Sequence, residues 1–146
     1  MSITRNNPNT VFLGGDRTQI GDFAASESIT PGHLVERFNS GGVWRFKKHT
    51  ITTATATPAL VATDQSMLNK GVDDVYAAGD LMEVSALHKG ATAWMLIASG
   101  QTIVTGNRLE SAGDGTLRVF ASGWPLFQAL ESKTATALTR IRVETI

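Results

Sequence analysis

The residues best suited to catalysis or metal binding, the three histidines, lie far apart in this sequence. His33, His49 and His88 show no ligand spacing with one another or with a carboxylate. A metal or hydrolase site requires such groups to converge. The absence of cysteine excludes thiolate nucleophiles and cysteine-based zinc sites. We therefore predict that each histidine is an ordinary surface or turn residue and that the protein holds no cofactor and no metal.

The remaining sequence signals for chemistry are weak. Asp73-Asp74 together with Asp80 lack the alternating oxygen ligands and the closing glutamate of a calcium loop. No Gly-x-Ser-x-Gly nucleophile motif occurs, and no Gly-Lys-Ser or Gly-Lys-Thr phosphate loop occurs. We predict a protein that is not an enzyme. A small esterase or hydrolase that depends on one of the histidines is kept as a third alternative.

The charge of the chain argues against nucleic acid and membrane partners. Thirteen Lys and Arg balance thirteen Asp and Glu, and the longest basic run is Lys47-Lys48. Nucleic-acid binding normally needs a basic surface. No apolar run approaches membrane-spanning length, and the first nine residues carry no apolar signal core. Charged residues form only 18% of the chain, which leaves surface for contacts with other protein subunits.

Aromatic residues are the strongest candidates for a binding surface. Trp44 and Phe46 alternate with Arg45 and Lys47, the pattern of a half-buried strand with aromatics on one face. Aromatics on a strand face are usually core, and we expect this for Trp94, whose neighbours Met95, Leu96 and Ile97 are apolar. For Trp44, core and an exposed contact stay open. If Trp44 and Trp124 are exposed, a carbohydrate-binding β module is the alternative function.

Short strands separated by glycine turns are predicted to position these residues. Leu34–Phe38 and Val43–Lys47 form a hairpin across residues 39–42, and residues 137–146 alternate as a strand that closes the sheet. The Thr-rich residues 50–63 indicate a strand broken by proline or a flexible loop. Residues 124–131 are the best helix candidate, and residues 65–76 are compatible with one helical turn. The predicted fold is all-β: a small β-barrel or β-sandwich with an extended N-terminal arm and at most one short helix.

The N-terminal segment differs from the rest of the chain. Phe12, Leu13, Ile20 and Phe23 are scattered among glycine and charged residues at a spacing that fits neither a helix nor a sustained strand. We predict that residues 1–28 form an extended arm and residues 29–146 a β-barrel or β-sandwich domain. The four apolar side chains are the predicted anchors of the arm on a partner surface.

One pentapeptide pattern occurs three times: glycine, two residues, an apolar residue and glutamate. It stands as Gly32–Glu36, Gly79–Glu83 and Gly106–Glu110, each after a predicted turn. A glycine turn that leads into a strand is the structure this pattern predicts. In their order and residue types these copies resemble the capsid cement (head decoration) family of tailed bacteriophages. Gly123–Glu131 and Ile141–Val143 are similar to the ending of that family.

The resemblance extends from residue 29 to residue 143, and it implies a specific role. It implies a small β-barrel or sandwich that binds the outer surface of an assembled phage head and braces neighbouring capsomers. The implied partners are the major capsid protein and further copies of the chain, as a dimer or trimer. The implied location is the capsid exterior of a virion, after synthesis in the host cytoplasm.

Overall fold

The computed structural model describes residues 8–146, and these residues form an almost entirely β structure. A three-residue 3-10 turn at Ser66–Leu68 is their only helical element. The predicted all-β class is therefore confirmed. Over the same residues no helix is long and apolar enough to cross a bilayer. In chain order the described strands are β1 (Phe12–Gly14), β2 (Arg17–Ile20), β3 (Ala24–Ala25), β4 (Val35–Ser40), β5 (Val43–Lys48), β6 (Leu60–Ala62), β7 (Val84–Leu87), β8 (Thr92–Ile97), β9 (Thr102–Ile103), β10 (Arg108–Ser111), β11 (Leu117–Val119), β12 (Phe127–Ala129), β13 (Lys133–Thr134) and β14 (Thr139–Thr145).

Five strands close into a barrel. The order is β8-β11-β10-β12-β14, and β14 pairs back onto β8 from Thr139↔Ile97 to Glu144↔Thr92. Alternate residues of β14, namely Ile141, Val143 and Thr145, are buried, as predicted from their spacing. The predicted role of this last strand in closing the sheet is confirmed. Trp94 of β8 lies in the same core, at 7% exposure, also as predicted.

Two smaller sheets lie outside the barrel and enclose a second core. One has the order β2-β7-β6 and the other β3-β5-β4. Phe46, Tyr76 and Met82 are the largest side chains of this core, and none of them is more than 3% exposed. The hairpin β4–β5 turns at Gly41 and Gly42, which both have positive φ, as two-residue hairpin loops require. The predicted hairpin is thus confirmed.

The N-terminal segment is extended but does not stand apart from the body. β1 pairs with β8, β2 with β7 and β3 with β5. Its apolar side chains pack in part against the two cores of the chain itself, and their role as anchors on a partner surface stays a prediction. Residues 1–7 of the predicted arm lie outside the described residues. The division of the chain at residue 28 stays a prediction.

One local prediction is corrected, and two others are made more exact. The predicted helix over residues 124–131 is wrong, because Phe127 and Ala129 point into the barrel on either side of exposed Gln128, and β12 pairs with β10 and β14. Tertiary pairing here overrides a short local helix pattern. In the Thr-rich segment only Leu60–Ala62, after Pro58, forms a strand. The 3-10 turn at residues 66–68 agrees with the predicted helical turn.

The barrel and the outer sheets are joined by backbone and side-chain bonds. The Gly115 N–H donates to the His49 C=O, the His49 N–H to the Leu34 C=O and the Leu34 N–H to the Gly115 C=O. These three bonds form a closed triangle between the base of the hairpin and the turn before β11. Arg140 of β14 adds a second link, because its guanidinium donates to the carbonyls of Pro31 and Val72.

The three glycines of the repeated pentapeptide lie in turns, as predicted. Gly32, Gly79 and Gly106 have φ of 101°, 93° and 91°, a region that glycine enters without a Cβ clash. The first copy leads into β4 and the third into β10, whereas β7 begins one residue after the second copy. The pattern is therefore a recurring turn that starts strands.

Candidate functional site

The four predicted arm anchors are partly buried in two separate places. Phe12 and Leu13 pack against the barrel core, and Ile20 and Phe23 pack against the second core. The guanidinium carbon of Arg17 lies 4.0 Å above the ring centre of Phe12, a cation–π contact that covers the ring. The structure thus does not gather these four side chains into one surface. Their contact with a capsid stays a prediction.

A column of aromatic rings runs from the second core to the end of the hairpin. Phe46 is fully buried, and Phe23 packs on it with ring centres 5.5 Å apart. Trp44 also stacks on Phe23, with ring centres 6.5 Å apart and 26° between the ring planes, and is 50% exposed. The shared face of Trp44 and Phe46 was predicted. The burial of one and the exposure of the other follow from their distance from the hairpin turn.

The opposite face of the hairpin is basic and half-buried. Phe38 and Arg45 are paired across the strands, and the Lys47 amino group lies 5.2 Å from the ring centre of Phe38. Lys47 also forms an ion pair with Glu36 at 3.1 Å. Next to the turn Val43 is 53% exposed. The end of the hairpin therefore presents apolar side chains on both faces, with cations beside them.

Trp124 lies in a different place, in the connection between β11 and β12, and is 43% exposed. Its neighbour Gly123 is buried and donates its N–H to the Glu110 carboxylate. Glu110 is 1% exposed and also accepts from Arg118 Nε at 3.0 Å. Trp44 and Trp124 make no ring contact with each other in residues 8–146. The two predicted aromatic contacts are both exposed, but they do not form one stacked pair.

A cleft of about 340 Å³ lies beside β4. Val35, Glu36 and Arg37 form one wall, and residues 56–58 and Leu60 form the other, with Ile51 at the rim. Burial alone would raise the pKa of Glu36, but hydrogen bonds from Thr50 and Lys47 outweigh it and leave the pKa below its ordinary value. The carboxylate in this wall is therefore ionised and already bonded.

Two of the three histidines are buried; the prediction of an ordinary surface or turn residue is wrong for His49, whereas buried His33 ends a turn that its N–H closes on the Thr30 C=O. His49 is fully buried; its Nδ1 lies 2.9 Å from Ser111 Oγ and its Nε2 lies 3.0 Å from Thr57 Oγ1. Burial lowers the pKa of His49, although Glu36 acts in the opposite direction. A neutral imidazole held between two hydroxyl groups joins the outer hairpin to β10 of the barrel. Ser111 is 3% exposed, so this Ser–His pair is closed to solvent.

His33 is the second buried histidine, and it lies where the two regions meet. Its Nδ1 accepts the Thr30 N–H at 3.0 Å, which fixes it as the unprotonated ring nitrogen. Burial, followed by the charge of Lys48, lowers the pKa of His33 to about 4. His88, in contrast, is exposed, as predicted, with Nε2 3.0 Å from Thr18 Oγ1. The spacing of the histidines in the sequence gives no sign of this difference, because it depends on the bonds around Gly115.

The described residues contain no cluster of three or more histidine or carboxylate side chains placed to bind a metal. Asp74 and Asp80 instead accept backbone N–H groups three residues before them, from Gly71 and Ala77. These carboxylates stabilise turns.

Comparison with known proteins finds a similar fold but no similar sequence. No protein-family model and no curated protein sequence matches this chain. Among solved structures, the chain is similar to the crystal structure of the head fiber gp8.5 N base of bacteriophage phi29, with a TM-score of 0.56. The match covers 90% of this chain and 98% of that one at 13% sequence identity. At such low identity the likeness shows a shared fold over nearly the whole of both chains.

Proposed function

We propose that this protein is a structural component of the head of a tailed bacteriophage, and specifically a decoration protein. In this role it binds the major capsid protein on the outside of the assembled head and stabilises contacts between capsomers. The observation that carries the proposal is the fold shared with a phage head fiber base over 90% of the chain. The pentapeptide pattern that resembles the cement family supports the same class of protein independently.

The surface of the protein is compatible with this role. Charged residues are few, and the exposed apolar side chains include Trp44, Val43 and Trp124 at 43–53% exposure. Apolar groups of this kind contribute binding energy when a partner covers them. Many copies on a closed shell add their contributions even when each contact is modest. Catalysis, a cofactor, nucleic acid and a membrane have no part in the proposed role.

The test is binding to phage heads assembled without the protein. We expect co-sedimentation that saturates at a fixed number of copies per head, together with a higher temperature of head disruption. Light scattering on the free protein determines whether the binding unit is a dimer or a trimer. An unrelated β protein of similar size serves as the control. Heads that neither retain the protein nor gain thermal stability would contradict the proposal.

A carbohydrate-binding module is the second candidate, and the stacked Trp44–Phe23 pair favours it. A half-exposed indole that packs against a second ring leaves part of its surface open for a sugar to stack on. A glycan array followed by calorimetry tests this function. Saturable sugar binding that is lost in Trp44→Ala or Trp124→Ala, without binding to heads, would favour it over decoration.

A further inference from the structure

One edge of β4 carries backbone groups that have no partner strand. β4 pairs with β5 and with no other strand of the described part of the chain. The hydrogen bond from the His49 N–H to the Leu34 C=O shows which residues of β4 direct their backbone groups towards β5. Because hydrogen-bonded residues alternate along an antiparallel pair, residues 36, 38 and 40 direct their backbone groups towards β5. The N–H and C=O groups of Arg37 and Asn39 therefore face the opposite, open side.

The cleft beside β4 lies on this open side. β6 contacts the start of β4 through the isolated bridge between Leu34 and Val61. Beyond that bridge the two segments separate, and the volume of about 340 Å³ opens between Val35–Arg37 and residues 56–58. Pro58 in the far wall has no N–H and cannot extend a ladder towards β4. The fold thus leaves a space next to unpaired backbone groups, with both apolar and polar side chains in its walls.

The charge around this edge is positive, although the chain as a whole is neutral. Residues 35–48 contain four cationic side chains and a single carboxylate, Glu36. Lys47 is neutralised by Glu36, and Lys48 lies 3.8 Å from Glu27. Arg37, on the open strand, forms no ion pair with any described residue and lies 5.9 Å from the ring centre of Phe23; Arg45 also forms none, but it lies on β5 and on the other face, opposite Phe38. An acidic occupant is complementary to this edge, whereas a second copy would bring its own Arg37 close to this one.

We propose that the open edge of β4 binds an extended acidic segment of a partner protein, which adds to the β3-β5-β4 sheet as a further strand. Its backbone bonds to the free groups of Arg37 and Asn39, and its side chains alternate between the two faces. On the face of Arg37 the segment carries Asp or Glu. On the other face, next to Phe38, it carries apolar residues, since directly opposed side chains interact across strands. Such a segment can be tested without phage heads.

The experiment measures fluorescence anisotropy with a labelled peptide of alternating aspartate and valine. The native protein is expected to bind it saturably, and to bind the matching lysine–valine peptide at least about tenfold more weakly. Asn39→Pro removes an outward N–H and also the side-chain oxygen that accepts the Gly42 N–H, so Asn39→Ala, which loses only the side-chain bond, is its control; Arg37→Glu reverses the edge charge. Asn39→Pro and Arg37→Glu are each expected to weaken binding by about tenfold or more. Arg108→Glu, an exposed charge reversal on barrel strand β10, is the matched control and leaves the affinity unchanged.

A second probe tests the backbone bonds on the unmodified protein. The same acidic peptide, N-methylated at alternate residues, lacks the donors that an added strand needs and is expected to lose binding. The proposal is overturned if the acidic peptide does not bind, or if N-methylation leaves its affinity intact. A homodimer in light scattering that Asn39→Pro dissociates would also overturn it, because a second copy would then occupy the edge.

Discussion

In the barrel every strand has a neighbour on both edges, whereas the outer sheets end in open strands. β14 pairs with β12 on one side and β8 on the other, while β4 pairs with β5 alone. Closure satisfies all backbone groups internally, and open edges leave some for other partners. The exposed aromatic Trp44 and the unpaired cations Arg37 and Arg45 also belong to the outer sheets. The comparison leads us to expect that the barrel contributes most of the stability, and the recognition that we propose for the β4 edge belongs to the outer sheets.

The largest expected effects come from replacing one buried phenylalanine by alanine in each of the two cores, which tests whether the two regions differ in stability. Phe127 and Phe46 are both fully buried, one in the barrel and one in the second core. Phe127→Ala is expected to lower the free energy of unfolding by about 3–5 kcal/mol, measured by urea denaturation. Phe46→Ala is expected to reduce amide exchange protection in β4 and β5 more than in β8 and β14. Equal loss of protection in all four strands would mean that the two regions unfold as one unit.

Acid is expected to weaken the junction between the two regions through His33. In the unfolded chain this histidine takes up a proton near its ordinary pKa of 6.5, but the folded protein does so only near 4. Because the unfolded state binds more protons in this window, stability falls as the pH drops from about 6.5 to 4, by about 3 kcal/mol. Urea denaturation across this pH range measures the loss. His33→Asn should reduce the slope of the profile and leave the part due to buried His49, whereas the exposed His88→Asn should leave the slope unchanged; equal slopes for native protein and His33→Asn would contradict the assignment.

A smaller effect on stability is expected in the barrel, at the Glu110 carboxylate. The buried Glu110 carboxylate accepts bonds from Arg118 Nε and from the N–H groups of Ala121 and Gly123. Glu110→Gln removes the charge from these bonds and is expected to cost about 2 kcal/mol in thermal or urea unfolding. Glu144→Gln, a half-buried glutamate of β14, is the matched control and should cost less than about 0.5 kcal/mol. Equal effects would mean that the loop before β12 does not depend on Glu110.

The smallest effect is expected at the end of the hairpin. Trp44→Ala removes a stacking contact with Phe23 from a side chain that is half exposed, so it should cost about 1 kcal/mol or less. The variant should retain native amide exchange in the barrel. A loss of more than about 3 kcal/mol would be the cost of emptying a core aromatic site, and it would remove the distinction between the two regions.

The sequence predicts the local elements of this protein better than their partners. The β4–β5 hairpin and the buried face of β14 follow from period-two alternation and glycine turns, which are local signals. The packing of Phe12 and Phe23 cannot be predicted in this way. The strands that pair with their segments, β8 and β5, are distant in the chain, and β1 and β3 are too short to show an alternation of apolar residues. The burial of His49 depends on three backbone bonds that converge from residues 34, 49 and 115. Of the candidate surface, the exposure of Trp44 and Trp124 was left open by the sequence, and the open edge of β4 becomes visible only with the strand order.

The pairing of β8 with β14 also determines when the protein can fold during synthesis. Residues 92–97 leave the ribosome well before residues 139–145, yet the long edge of β8 is completed only by that later strand. Until then the nascent chain exposes the unpaired backbone groups and the apolar side chains of β8, and contacts so distant in sequence form slowly. Barrel closure is therefore a late folding event, and the time before it is when chaperones or aggregation compete for the chain.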